Sequence, residues 1–122
     1  MRKAIITNWS HSELNAYERD RVRRAMANED MEDADYILNY HDVKRAFSDI
    51  TPERYRLLET LQRLGTVSIY ALARELGRNY SNVHSDVTAL LELNLMARTP
   101  EGVSVPWEAV EWHLSTAIKT AA

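Results

Sequence analysis

Six polar residues between positions 78 and 85 carry the hydrogen-bonding groups needed to read DNA. They are Arg78, Asn79, Tyr80, Ser81, Asn82 and Ser85. An asparagine can pair through two hydrogen bonds with adenine, and an arginine can pair with guanine or hold a phosphate. A helix with short polar groups on one face is what the major groove of B-DNA accepts. The spacing therefore predicts a helix whose outer face contacts base edges and phosphates.

Other interpretations of this segment stay open from the residues alone. Tyr80 can donate its hydroxyl to a phosphate, or it can be buried against the preceding helix. His84 lies on the flank of the predicted helix, where it can contact a phosphate or pack beside a neighbouring helix. The whole segment can also be the surface helix of an ordinary α-helical domain.

The elements that must position these residues are two helices joined by a glycine turn. Ser68 predicts the N-cap of the first helix, and Gly77 predicts its end because glycine enters a left-handed turn without Cβ strain. The apolar positions of the first helix are Ile69, Leu72, Ala73 and Leu76. The second helix is predicted to begin between Asn79 and Ser81. Its apolar positions are Val83, Val87, Leu90 and Leu91. This pattern predicts a helix-turn-helix.

The segments on either side extend this unit. Thr51-Pro52 predicts the start of an earlier helix, and Gly65 predicts its end. Residues 95–99 and 103–106 are short apolar-alternating runs on either side of a Pro-Glu-Gly turn, which predicts a β-hairpin. A hairpin that directly follows the second helix of a helix-turn-helix indicates a wing.

The order of these elements predicts a winged helix-turn-helix. We therefore expect a mainly α fold with a small β-hairpin wing and an N-terminal helical extension. Residues 1–48 are expected to form a helical and strand extension that serves as a dimer or partner arm. Residues 49–122 are expected to form the winged helix-turn-helix DNA-binding domain. Arg98, in the hairpin, is the predicted contact to the DNA backbone or minor groove.

Three segments carry a resemblance to a known family. They are Thr-Pro-Glu-Arg-Tyr-Arg-Leu-Leu at 51–58, Leu-Ala-Arg-Glu-Leu-Gly-Arg-Asn-Tyr-Ser-Asn-Val-His-Ser-Asp-Val-Thr-Ala-Leu at 72–90 and Val-Pro-Trp at 105–107. The chain resembles the MarR-like winged-helix regulators of prokaryotes, in particular TumA-like antitoxins that are paired with toxins. Asn94 stands where these regulators usually have glycine, and asparagine is the next-best residue for a left-handed cap. The resemblance implies DNA binding as a dimer and leaves toxin neutralisation open.

The first fifty residues include an arginine-rich helix, predicted over residues 12–28. Its arginines are Arg19, Arg21, Arg23 and Arg24. It can be a solvated helix packed on the domain, a DNA-backbone contact, or an arm for a second subunit or a toxin. An acidic loop is expected over residues 29–35 and a short edge strand over 36–40. A helix over residues 42–50 is capped by either His41 or Asp42.

The C-terminal residues admit two interpretations. Residues 109–115 alternate as in a strand, which the resemblance favours, whereas Pro106 can also open a helix over this region. Trp107 and Trp112 are expected to anchor the core or a dimer interface. Large apolar groups at both chain ends predict a dimer with the ends in its interface. They are Ile5, Ile6, Trp9, Trp107, Trp112 and Ile118.

Composition limits the remaining functions. The 122-residue chain has a net charge of −3, and residues 51–100 carry six arginines against five acidic residues. We therefore expect modest, salt-sensitive DNA affinity that depends on two half-sites. The chain has no cysteine, only three glycines and no pair of histidines at metal-binding spacing. We expect no catalytic residues, no metal and no cofactor. We also expect no apolar segment long enough for a membrane or a signal peptide, and thus a cytoplasmic protein.

These expectations combine into one interpretation with an alternative. The chain is expected to be a repressor that binds a palindromic operator in double-stranded DNA as a homodimer. The resemblance adds the role of autoregulating antitoxin, with a cognate toxin as a further partner. The alternative is a protein-interaction module that neutralises a toxin or another partner without strong DNA binding of its own.

Overall fold

The computed structural model describes residues 2–29 and 35–116, which fall into two compact units. The first unit combines the residues up to Ala46 with those from Glu108 onward, and the second is Phe47–Trp107. In chain order the described elements are β1 (Lys3–Thr7), α1 (His11–Met26), β2 (Tyr36–Asn39), α2 (Val43–Asp49), α3 (Pro52–Leu64), α4 (Ile69–Leu76), α5 (Tyr80–Glu92), β3 (Ala97–Thr99), β4 (Gly102–Ser104) and β5 (Ala109–His113). The structure is therefore mixed α/β.

The first unit contains a parallel sheet of three strands in the order β2-β1-β5. Ile5 of β1 lies opposite Ile37 on one side and Glu111 on the other. Residues 4–7 of β1 are buried, as expected for the central strand of a parallel sheet. The edge strand β2 and the strand β5 were both expected from the sequence, but β1 was not. The expectation of a mainly α fold is thus corrected by this sheet.

The strand β5 also changes the expected domain division. Residues 109–122 were expected to belong to the DNA-binding domain, whereas β5 pairs with β1 in the first unit. The second unit is therefore inserted between two segments of the first along the chain. Of the two interpretations of the C-terminal region, the strand is confirmed over Ala109–His113. Residues 117–121, including Ile118, lie outside the described residues, as does most of the acidic loop.

Helices α1 and α2 begin at short side-chain caps. The Oγ of Ser10 accepts a hydrogen bond from the Glu13 backbone N–H, so α1 begins one residue earlier than expected. The Asp42 carboxylate accepts from the Lys44 N–H at 3.0 Å, which identifies Asp42 rather than His41 as the cap of α2. These contacts satisfy backbone donors that the first helical turn leaves without partners.

The predicted caps of the second unit are confirmed. Thr51 and Ser68 accept from the backbone N–H groups three residues ahead at the starts of α3 and α4. Gly77 ends α4 in the left-handed conformation, and Asn94 has φ 60° after α5. The core between the helices and the hairpin consists of fully buried aliphatic side chains. The largest are Leu57, Leu61, Leu72, Val83, Val87, Leu90, Leu95 and Val103.

The strands β3 and β4 form the expected antiparallel hairpin, with Arg98 opposite Val103. Val103 also exchanges two backbone hydrogen bonds with Val67, at 2.8 and 3.2 Å, which ties the hairpin to the segment that precedes α4. Helices α3 to α5 followed by this hairpin are compatible with a winged helix. No described helix is long and apolar enough to cross a membrane.

Candidate nucleic-acid interface

The outer face of α5 presents small polar side chains to solvent. Ser81, Asn82 and Ser85 are exposed, while Val83 and Val87 on the opposite face are buried. The Ser85 hydroxyl donates to the Ser81 carbonyl at 3.2 Å, and its oxygen can still accept a hydrogen bond. Among the described residues, the side-chain amide of Asn82 makes no hydrogen bond. Three of the predicted site residues thus lie on one accessible helix face.

Asn79 has a structural role at the start of this helix. Its side-chain oxygen accepts from the backbone N–H groups of Ser81, at 2.8 Å, and Asn82, at 3.4 Å. This is an N-cap contact, and asparagine is among the residues most favoured at that position. This contact occupies the side-chain oxygen that Asn79 would need as the acceptor in a bidentate pair with adenine. Asn79 therefore positions the base-reading candidates and is not itself placed as one of them.

Arg78 is held in an ion-pair cluster rather than presented to solvent. Its side chain is 19% exposed, its Nη2 lies 2.7 Å from Asp86 Oδ2, and its Nε lies 3.7 Å from Glu53. Asp86 also accepts from Arg54 Nε at 2.9 Å, and Arg54 donates to the Asp49 carbonyl. We call Glu53, Arg54, Arg78 and Asp86 the Asp86 cluster. In this structure Asp86 and Glu53 hold the Arg78 guanidinium, and the pairing of Arg78 with guanine or a phosphate stays a prediction.

The Asp86 cluster is the main feature that sequence reasoning missed. The cluster joins the first turn of α3, the turn after α4 and the middle of α5. The side chains of Arg54, Arg78 and Asp86 are mostly buried, whereas Glu53 is exposed. A signal was present, because an acidic residue on a helix predicted to face DNA would repel phosphates. Such a residue is expected to be neutralised within the protein, and the nearby arginines supply that charge.

Tyr80 and His84 lie together at the exposed edge of α5. Their ring centroids are 5.9 Å apart, and about half of Tyr80 is exposed to solvent. This exposure favours the interpretation of Tyr80 as an accessible hydroxyl over burial against α4. His84 is exposed as well, which leaves it free for a phosphate contact.

A second aromatic and basic pair lies on α4 and was not selected from the sequence. Tyr70 is 62% exposed, and the Arg74 guanidinium carbon lies 5.9 Å from the centre of its ring. The i, i+4 spacing on the polar side of α4 is the signal that could have identified the pair. In helix-turn-helix proteins the helix before the recognition helix crosses the DNA backbone.

Arg98 is exposed on β3, as predicted for a hairpin contact. It forms no ion pair with any described residue, so its charge is available. In the described part of the chain, no group of three or more acidic or histidine side chains could hold a metal ion.

Residues 49–112, just over half of the chain, match the family model described as HVO_A0114. The chain belongs to the HVO_A0114 family. Comparison with curated proteins and with solved structures gave no match. The matched region of the HVO_A0114 family includes all of α3, α4, α5 and the hairpin, and with them the Asp86 cluster and the outer face of α5.

Proposed function

We propose that this HVO_A0114 family protein is a winged helix-turn-helix transcriptional regulator that binds operator DNA as a homodimer. The observation that carries the proposal is the outer face of α5, where Ser81, Asn82 and Ser85 are exposed and opposite the buried Val83 and Val87. A helix with this distribution can enter the major groove without uncovering its own core. The resemblance to MarR-like antitoxins supports repression of its own promoter as the biological role.

Each exposed group has a definite task in this proposal. Asn82 reads a base edge, and Ser81 and Ser85 contact bases or nearby phosphates. Tyr80 and Arg98 contact the DNA backbone, as do Tyr70 and Arg74 on α4. Asn79 and the Asp86 cluster hold α5 at the angle that these contacts need. The contacts from Arg98 and Arg74 are sequence-independent and salt-sensitive, whereas Asn82 supplies discrimination.

A selection from random DNA duplexes tests the proposal. The full chain is incubated with the library at low salt, and the bound fraction is amplified through several rounds. We expect enrichment of a palindromic sequence whose half-sites are about one helical turn, or 10 base pairs, apart. Recovery of an unbiased pool, with retention that does not depend on sequence, would contradict the proposal.

A second candidate function is a protein-interaction module that neutralises a toxin or another partner. It is favoured by α1, which exposes Val22 and Met26 beside several arginines. A toxin-like gene next to this one, and a complex between the two products, would support it. The two functions are compatible, since an antitoxin can also repress its own promoter.

A further inference from the structure

Helix α1 has an outer face that is largely exposed to solvent. This α1 face consists of Asn15, Glu18, Arg19, Val22, Arg23 and Met26, which line a shallow open depression of about 590 Å³. Val22 is 58% exposed and Met26 is 80% exposed. They lie four residues apart, so their side chains are neighbours on the helix. Clustered exposed apolar groups rimmed by charged groups are typical of an interaction surface.

The helix also has little burial elsewhere to stabilise it. None of its sixteen residues is buried, and the side away from the α1 face is only partly covered, at Leu14, Tyr17, Arg21 and Arg24. Helices of this length are marginal in water unless one face packs against other structure. A partner on the α1 face would therefore stabilise the helix and remove Val22 and Met26 from water.

The charges of the α1 face are arranged to fit a second copy of the same face. Glu18 lies nearer the start of the helix, and Arg23 lies nearer its end. When two such helices run antiparallel, Glu18 of each copy lies opposite Arg23 of the other. In the same register Arg19 lies opposite Val22, where its aliphatic stem can cover the apolar side chain, and Asn15 lies opposite Met26. A parallel arrangement would instead place each arginine against itself.

The side chains that would make these contacts are accessible. Arg23 hydrogen-bonds to Asp20 at 2.8 Å on the surface of the same helix, and this bond lowers the pKa of Asp20. Both residues remain exposed, so the Arg23 guanidinium can donate to a second carboxylate. Glu18 forms no ion pair with any described residue. The α1 face thus offers one unpaired acid and an accessible arginine in self-complementary positions.

We propose that the α1 face pairs with the α1 face of a second copy around a two-fold axis, with Glu18 contacting Arg23 in both directions. The partner is a second copy of the chain because a two-fold interface brings the same surface of both subunits together. The order of charges along α1 meets this requirement, since Glu18 of each copy lies opposite Arg23 of the other. This inference rests on the dimer in the proposed function and names the surface that forms it. Of the apolar residues at the chain ends, Ile5 and Ile6 are buried within the sheet of their own unit, so these two side chains are not available to an interface.

The test is a charge-reversal cycle on the full chain, without DNA. Sedimentation equilibrium should show a dimer for the natural chain. Glu18→Arg and Arg23→Glu should each weaken dimerisation by about tenfold or more, because each creates two like-charge contacts. The double variant should recover much of the lost dimerisation affinity. Glu13→Lys, an exposed charge reversal on the side of the same helix away from the α1 face, is the control and should leave the dimer unchanged.

Cysteine crosslinking tests the register, since the natural chain has no cysteine. A chain with both Asn15→Cys and Met26→Cys should form an intermolecular disulfide under mild oxidation, whereas Ala16→Cys should not. The inference would be overturned if the natural chain were monomeric at tens of micromolar. It would also be overturned if neither charge reversal changed the dimerisation affinity. A stable dimer that selects no DNA sequence would instead refute the proposed function and leave the α1 pairing in place.

Discussion

Asp86 is the residue on which the position of α5 most depends. Its carboxylate accepts charge-assisted hydrogen bonds from Arg54 and Arg78 while its side chain is only 15% exposed. Hydrogen bonds to charged groups are stronger than those between neutral groups. Removal of the carboxylate would leave two mostly buried guanidinium groups without a hydrogen-bond acceptor. The Asp86 cluster thus fixes α5 relative to α3.

Replacement of Asp86 should destabilise the protein. We expect Asp86→Ala to lower the free energy of unfolding by about 2–3 kcal/mol, because two mostly buried guanidinium groups lose their shared carboxylate. Urea denaturation followed by circular dichroism measures the loss. Glu92→Ala removes an exposed acid from the same helix and is the control, with an expected change within about 0.5 kcal/mol. Equal stability of the two variants would show that the cluster does not hold the helix.

At the residue scale, sequence reasoning identified the residues on the exposed face of α5 but not which of the predicted site residues have structural roles. Asn82, Ser81 and Ser85 follow from helical periodicity, which needs no knowledge of other elements. The roles of Arg78 and Asn79 depend on contacts that periodicity does not show. Arg78 pairs with Glu53, which is 25 positions earlier in the chain, and only the folded arrangement brings them together.

At the scale of elements, the hairpin depends on a glycine that the sequence marks only as a turn. Gly102 has φ 144°, and a Cβ at this position would lie 2.3 Å from the Val67 carbonyl oxygen. That carbonyl also accepts the Val103 N–H, so neither backbone can move away without breaking the bridge. Glycine is therefore required here for both its conformation and its lack of a side chain.

We expect Gly102→Ala to detach the hairpin from the Val67 segment. The strain should lower the free energy of unfolding by roughly 2 kcal/mol or more, since an unfavourable φ adds to the backbone clash. Thermal unfolding measures this loss. Gly65→Ala is the comparison, because Gly65 also has a positive φ but has open space around its Cβ position. A smaller loss at Gly102 than at Gly65 would contradict the close approach.

Helices whose ends are marked by capping residues were predicted well from the sequence, whereas strand β1, which has no such local signal, was missed. The caps of α3 and α4 and the ends at Gly65 and Gly77 are set by residues within one helical turn. Strand β1 has no comparable signal, because a strand buried on both faces shows an unbroken apolar run rather than alternation. Its two neighbours, β2 and β5, are about 30 and 105 positions away along the chain.

At the scale of the whole molecule, the chain enters the first unit, leaves it for the second and returns to complete the sheet with β5. The division expected from the sequence, at residue 48, describes the start of the second unit but not its end. The closing pairing joins Lys3 to Ala109 and could not be anticipated, since nothing local links these segments.

This topology predicts which shortened chains fold. A fragment of residues 47–107 contains the buried core of the second unit and should show a cooperative thermal transition with helical circular dichroism. A fragment of residues 49–122 keeps β5 but lacks β1, and its unpaired strand should promote aggregation. If the 47–107 fragment showed no cooperative transition while the longer fragment remained monomeric, the division into these two units would be wrong.

The central claim is that the outer face of α5 reads DNA sequence, and the most direct test is the ratio of affinities for a selected duplex and a scrambled one. Each variant is compared with the natural chain across a range of salt concentrations. We expect Asn82→Ala to lower this ratio by roughly 10- to 100-fold, and Ser85→Ala to lower it in the same direction, because a base contact contributes about 1–3 kcal/mol.

Arg98→Ala is the matched variant in the same measurement. It should weaken binding to both duplexes alike and reduce the slope of affinity against salt by about one, as expected for the loss of one phosphate contact. We expect Asn82→Ala to change the ratio of affinities and Arg98→Ala to leave it unchanged. Equal losses of Asn82→Ala on the selected and scrambled duplexes would contradict the central claim.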